Sequence, residues 1–170
     1  MVRLSLIIGL ILALNCVAFA AGTVQLPVNS AGAVMTSDEQ KYVELTNKER
    51  VARGLSQLVI DPLLVEVGRK HSREMAEKSY FSHTSPTTSL ATAMDRYLAD
   101  ERQRPTWALV GENLFYCSIV DIDRGHTAFM NSKGHRDNIL EGRFERMGVG
   151  IYVSPKGELY VTEMFLAKTG

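Results

Sequence analysis

The chain opens on a near-continuous apolar run. Residues 4–14 are Leu, Ile and Ala apart from Ser5 and Gly9, and Arg3 is the only charge before them. The run is shorter than the roughly 20 apolar residues a spanning helix needs, and no basic cluster follows it. Ala18-Phe19-Ala20 places small residues at the −3 and −1 positions, so the pattern predicts a signal peptide over 1–20 with cleavage after Ala20. Cys16 follows Asn15, which is too bulky a neighbour for a lipid-attachment motif. Residues 21–35 hold Gly, Ala, Pro27, Asn29 and Ser30 without a helical period and read as a linker. One domain is expected over 36–170.

Within that domain the period changes along the chain. Ser37 and Gln40 have capping-box spacing, Tyr42, Leu45 and Thr46 share a face, and Gly54 suits a C′ position. Asp61-Pro62 reads as the N-cap and N1 of a second helix, whose inward stripe is Leu64, Val67, Gly68, His71 and Met75. A weaker helical stretch runs from Ser89 to Leu98, and residues 99–107 read as a charged loop. Ala108–Ser118 reads as a strand region broken by Gly111-Glu112-Asn113. Residues 120–131 return to a helical pattern with Ile122, Phe129 and Met130 inward, and 132–140 form a polar turn and short helix. Met147–Val153 and Leu159–Leu166 flank Ser154-Pro155-Lys156-Gly157, a hairpin with turn residues at its centre. Helices first, a strand in the middle and a hairpin last predict an α+β domain, a three-layer α-β-α sandwich.

Composition changes this picture little. Lys and Arg number 19, as do Asp and Glu; loss of 1–20 removes Arg3 and no acid, leaving a net charge of −1. That balance gives no electrostatic basis for binding nucleic acid or an anionic membrane surface. Loss of the leader also removes Cys16 and leaves Cys117 alone, so no internal disulfide is expected and the core must hold the domain. Cys117 itself reads as a small buried apolar residue.

Three local groups place a His or a carboxylate beside Gly, Ser or Asn, where bends line clefts. They are Phe81-Ser82-His83, Gly111-Glu112-Asn113-Leu114, and the stretch from Asn131 to Leu140 that contains His135. His71 lies on the apolar stripe and reads as a core histidine with a local hydrogen bond. His126 follows Arg124-Gly125 and reads as part of a solvated face without a role. Asn113 and Asn138 suit fixing loop backbones, and Arg136 suits pairing with Asp137 or a nearby acid. No Gly-x-Ser-x-Gly elbow or His-Glu-x-x-His pattern occurs.

Taken in order, these stretches resemble the CAP superfamily of cysteine-rich secretory, antigen 5 and pathogenesis-related group one proteins. The match is to its disulfide-free bacterial branch, the SCP-like extracellular proteins. The residues that carry it are Asn47-Lys48-Glu49-Arg50, Gly54-Leu55 with Leu58, Asp61 and Leu64, then His71-Ser72 with Met75-Ala76, and Phe81-Ser82-His83. Gly111-Glu112-Asn113-Leu114, Ser132 with Gly134-His135-Arg136 and Asn138-Ile139-Leu140, and Gly148-Val149-Gly150 complete it. The resemblance implies a small, mainly antiparallel central sheet and a cleft with two His and two Glu able to bind a divalent metal. His83, Glu112 and His135 match three of the four; the second Glu would fall near Ser132 and is missing. Phe129 stands where the family has Trp. Glu163 stands where bacterial relatives commonly have Gln and would restore a carboxylate if it faced the cleft.

The resemblance implies lipid or sterol binding in eukaryotic members, and a secreted, extracellular or periplasmic cell-envelope location. The first functional expectation is a binding module, by default a monomer, whose cleft takes a small lipid, peptide or cell-wall-derived ligand. The second is an extracellular, peptidase-like hydrolase with His83, Glu112 and His135 as catalytic cluster. For both readings His83 and His135 are the candidate ligands for zinc or another divalent cation, since His₂Glu with an open position is a catalytic zinc pattern. The third is an envelope protein without a ligand, in which the same three residues form a structural hydrogen-bond network.

Overall fold

The computed structural model describes residues 34–169. The expected leader, and the linker up to residue 33, lie outside these residues. Met35, the last residue of the expected linker, packs into the core at 9% exposure.

Helix α1 spans Ser37–Val51, and its N-cap is Thr36 rather than Ser37. The Thr36 hydroxyl accepts from the Glu39 N–H, and the Glu39 carboxylate accepts from the Thr36 N–H. The box sits one residue early because a carboxylate is the stronger acceptor; the Gln40 amide donates instead to the Met35 carbonyl. Gly54 lies two residues beyond the C-cap Ala52, where its φ of 75° closes the turn. Strand β1 (Val59–Ile60) leads into α2 (Pro62–Glu77), capped by Asp61 with Pro62 in its first turn as expected.

The weak helical stretch resolves into a 3-10 turn at Thr88–Leu90 and helix α3 at Ala93–Asp100. Thr92 and Asp95 form a capping box that places the true start. Strand β2 (Trp107–Cys117) is continuous, correcting the expected break. Gly111, Glu112 and Asn113 pair with Phe165, Met164 and Glu163 of the last strand, and a partner of that length overrides the low strand preference of the Gly. Helices α4 (Ile122–Asn131) and α5 (Lys133–Ile139) follow, then β3 (Arg146–Val153) and β4 (Leu159–Thr169) around the expected turn.

The sheet order is β1-β3-β4-β2, with β1 and β3 parallel and the other pairs antiparallel. Alternation along the strands sorts side chains to two faces. Val149, Val161 and Phe165 join Tyr42, Phe129 and Ile139 in one core beneath α1, α4 and α5. Met164 and Leu166 join Leu64, Val67 and Tyr97 beneath α2 and α3. The three-layer sandwich and the mainly antiparallel sheet are therefore both present.

Helix α2 lies unusually close to the sheet. A Cβ on Gly148 would sit 2.3 Å from the Val65 nitrogen, and one on Gly150 would sit 1.9 Å from the Arg69 nitrogen. The helix contributes its own glycine, Gly68, against the backbone of Gly150. Ser72, one turn on, donates to the Gly150 carbonyl at 2.9 Å.

His126 departs from its expected place. It is buried, and among the described residues neither ring nitrogen has a partner. Ile122, Gly125, His126 and Phe129 form the inward stripe of α4, and Gly125 admits the Tyr42 hydroxyl of α1 to a distance no larger residue would allow. Burial lowers the His126 pKa, with Glu49 and Asp123 opposing. The unfolded chain then binds the proton more tightly than the fold does. The stability at stake is full above the unfolded value near 6.5 and is lost as pH falls toward the depressed folded one. His126→Leu is expected to flatten this acid limb, raising the urea midpoint at pH 5 more than at pH 8. An equal shift at both pH values would sink the assignment.

Candidate functional site

The candidate site is built on the edge strand β2 and on loops to either side of it. Glu112 projects toward the α2 and α3 side, since it pairs with Met164 of that face. One carboxylate oxygen accepts from His83 Nδ1 at 2.8 Å, and the other accepts from the guanidinium of Arg96. Both Glu112 and Arg96 are buried, whereas the His83 side chain is 58% exposed. In the neutral tautomer this bond selects, His83 Nε2 carries the lone pair. The pair is thus an exposed imidazole oriented by a buried, clamped carboxylate.

Interior side chains hold the loop that carries His83. Arg96 donates to the carbonyls of His83, Leu90 and Ala91 as well as to Glu112. His71 Nε2 donates to the Ser82 carbonyl at 3.1 Å, bearing out its reading as a locally bonded core histidine. Burial lowers the His71 pKa against the pull of Glu112, which suits the neutral donor role. Glu74 accepts from Ser85, Thr87, Tyr80 and Lys78. Burial would raise its pKa, but these bonds outweigh it and hold the carboxyl at about 2.

His135 approaches from α5, on the other side of β2. Its ring packs edge-on against Phe129 at 5.1 Å between centroids. Burial lowers its pKa, and the nearby charge of His83 lowers it further, so the two imidazoles sense each other. Among the described residues no hydrogen bond joins His135 to His83 or Glu112. Asn113 donates to the His135 carbonyl at 3.1 Å and Asn138 to the Glu112 carbonyl at 3.1 Å, so both asparagines fix backbone as expected. Arg136 donates to the Met130 carbonyl instead of pairing with Asp137, whose partner is Lys133.

Glu163 does not restore a second carboxylate to the cleft. It lies on the opposite face of the sheet from Glu112, with no exposed surface, and accepts from Thr46 at 3.0 Å and Asn113 at 3.1 Å. Burial pushes its carboxyl up to about 7 against those two bonds. The donor set for a metal is correspondingly thin. Glu112 has both oxygens engaged, one of them by a cation, and Ser132 stands where a second Glu would fall. Among the described residues no group of three or more His, Cys, Asp or Glu side chains could hold a metal ion. These residues do not complete a His₂Glu centre.

From Phe81 a groove of about 480 Å³ continues along the same face, lined by Tyr80, Phe81, Tyr116, Tyr160 and Lys156 among others. Phe81, Tyr116 and Tyr160 form a row of rings with centroids 6.1 and 5.0 Å apart.

Residues 43–165 match the cysteine-rich secretory protein family, CAP. The chain belongs to this family. Its CAP domain is 36% identical over 139 residues to YkwD of Bacillus subtilis strain 168, covering 82% of this chain and 51% of that protein. An extracellular SCP-domain protein of Bacillus anthracis has the same fold, with a TM-score of 0.66 at 30% identity, over 81% of this chain and 45% of that one. An outer surface protein of Borrelia burgdorferi shares the fold at a TM-score of 0.68 and 20% identity, over 80% of this chain and 97% of that one. The chain thus spans about half the length of its Bacillus relatives, and the resemblance read from its motifs is borne out.

Sequence reasoning about this CAP domain overlooked Arg96. Its signal was the Thr92–Asp95 capping box, which starts α3 and sets Arg96 at its fourth position. An arginine on the inward side of so short a helix needs a buried acid, and Glu112 is that acid.

Proposed function

We propose that this chain is an exported, cell-envelope or extracellular CAP domain that acts as a binding module. Its cleft, formed by His83, Glu112 and His135, takes a small lipid, peptide or cell-wall-derived ligand. The observation that carries this reading is the exposed His83 ring held by a carboxylate that Arg96 clamps. Such a group is a fixed polar contact beside an aromatic groove, and a few placed polar groups on an apolar wall are how small-molecule sites achieve orientation. The extracellular Bacillus anthracis relative and the apolar leader support export. Among the described residues no helix is long and apolar enough to cross a membrane.

A second reading is supported by the same 2.8 Å contact, which would equally orient His83 as a general base in a peptidase-like hydrolase. Thermal melts of residues 21–170 against lipids, peptides and cell-wall fragments separate the two. A ligand at a hundredfold excess over Kd is expected to stabilise the wild type by about 2.7 kcal/mol, several degrees in Tm. The His83→Ala/His135→Ala variant is expected to lose that shift. No shift across the panel would count against binding. Turnover that His83→Ala and Glu112→Gln both abolish in folded protein would establish the hydrolase, and zinc stabilisation confined to the wild type would reopen the metal.

A further inference from the structure

We propose that Glu163 is a positioning residue for the cleft, acting through Asn113 on the two backbone segments that present His135 and Glu112. The inference rests on the cleft reading above, although Glu163 lies outside the cleft. Its carboxyl is fully buried beneath the sheet, far from any role as a ligand contact. Its two polar partners come from different elements, Thr46 of α1 and Asn113 of β2.

Asn113 is the branch point. Its side-chain amide donates both to Glu163 and to the carbonyl of His135. Its side-chain oxygen accepts from Asn138 at 2.9 Å, and Asn138 donates in turn to the carbonyl of Glu112. An amide group cannot rotate without exchanging donor for acceptor at every one of these contacts. The Glu163 oxygen requires a donor from Asn113, and that requirement selects the one orientation in which the amide also reaches His135. The network holds in either charge state. An ionised carboxyl accepts from both partners, and a protonated one accepts from Asn113 while donating to the Thr46 hydroxyl. Gln at this position could accept from Asn113 and donate to Thr46 in the same way. An apolar residue could do neither, and a shorter acid could not span both partners.

The test reads the His135 ring by proton–carbon NMR with no ligand present. Its packing against Phe129 imposes a ring-current shift that reports placement, a quantity that a general loss of stability does not move in a folded protein. Glu163→Gln is expected to leave the His135 resonance unchanged. Glu163→Met and Glu163→Asp are expected to fold and to lose that ring-current shift. A wild-type His135 resonance in a folded Met or Asp variant overturns the proposal. Failure of both to fold beside a native Gln variant also overturns it, because the carboxyl would then serve the core and not the cleft. Failure of the binding reading appears separately, as the absence of any ligand shift in thermal melts while the His135 resonance responds as stated.

Discussion

Gly150→Ala is expected to be recovered unfolded. The added methyl would lie 1.9 Å from the Arg69 nitrogen and 2.1 Å from the Gly68 carbonyl carbon. Both are backbone atoms of α2, so no side-chain rotation relieves the overlap. Overpacking that side chains can absorb costs about 1–3 kcal/mol. Here relief requires lifting α2 from β3, which strips cover from Leu64, Val67 and the rest of the core on that face. That loss is comparable with a whole domain stability of about 5–15 kcal/mol. Near-ultraviolet circular dichroism and urea unfolding check the outcome, with Gly134→Ala as control because nothing lies within 4 Å of its added methyl. A cooperative Gly150→Ala transition within about 2 kcal/mol of wild type would show that the helix can shift.

Arg96→Met is expected to cost about 3–5 kcal/mol, the usual range when one member of a buried ion pair is removed. The variant leaves the carbonyls of His83, Leu90 and Ala91 without their donor and Glu112 without its clamp. Adding Glu112→Gln should recover part of the loss. The recovery measures the charge alone, because the three carbonyls stay unpaired. Urea midpoints of the two single variants and the double variant give the coupling. A double variant as unstable as the two losses added together would refute the clamp. Any ligand shift in Tm should also vanish in Arg96→Met, since the loop carrying His83 loses its anchor.

The parts legible in the sequence are those where one local rule decides. Asp61-Pro62 starts α2, Ser154 to Gly157 turns the hairpin, and the inward stripe of α2 is where its spacing places it. The contact at the candidate site was legible as motifs, since His83 and Glu112 do meet. The parts that were missed depend on a partner distant in the chain. Glu112 reads as part of a break beside Gly111 until β4 is laid along β2. His126 passes for a surface residue until Gly125 lets α1 settle over it. The facing of Glu163 follows from strand parity, which is set only once the register of β4 is known.

That register has a consequence for how the molecule comes into being. Among the described residues strand β2 has one neighbour in the sheet, and that neighbour is β4, whose first residue is synthesised 42 positions after the last residue of β2. Strand β3 also lacks its longer partner until β4 exists. During vectorial synthesis, therefore, the helices can form as the chain emerges, but the sheet waits for its central member. Pairings this remote close large loops and form late. A nascent chain of this kind remains open until β4 has emerged, and the strand that carries Glu112 is fixed in the same step that completes the sheet.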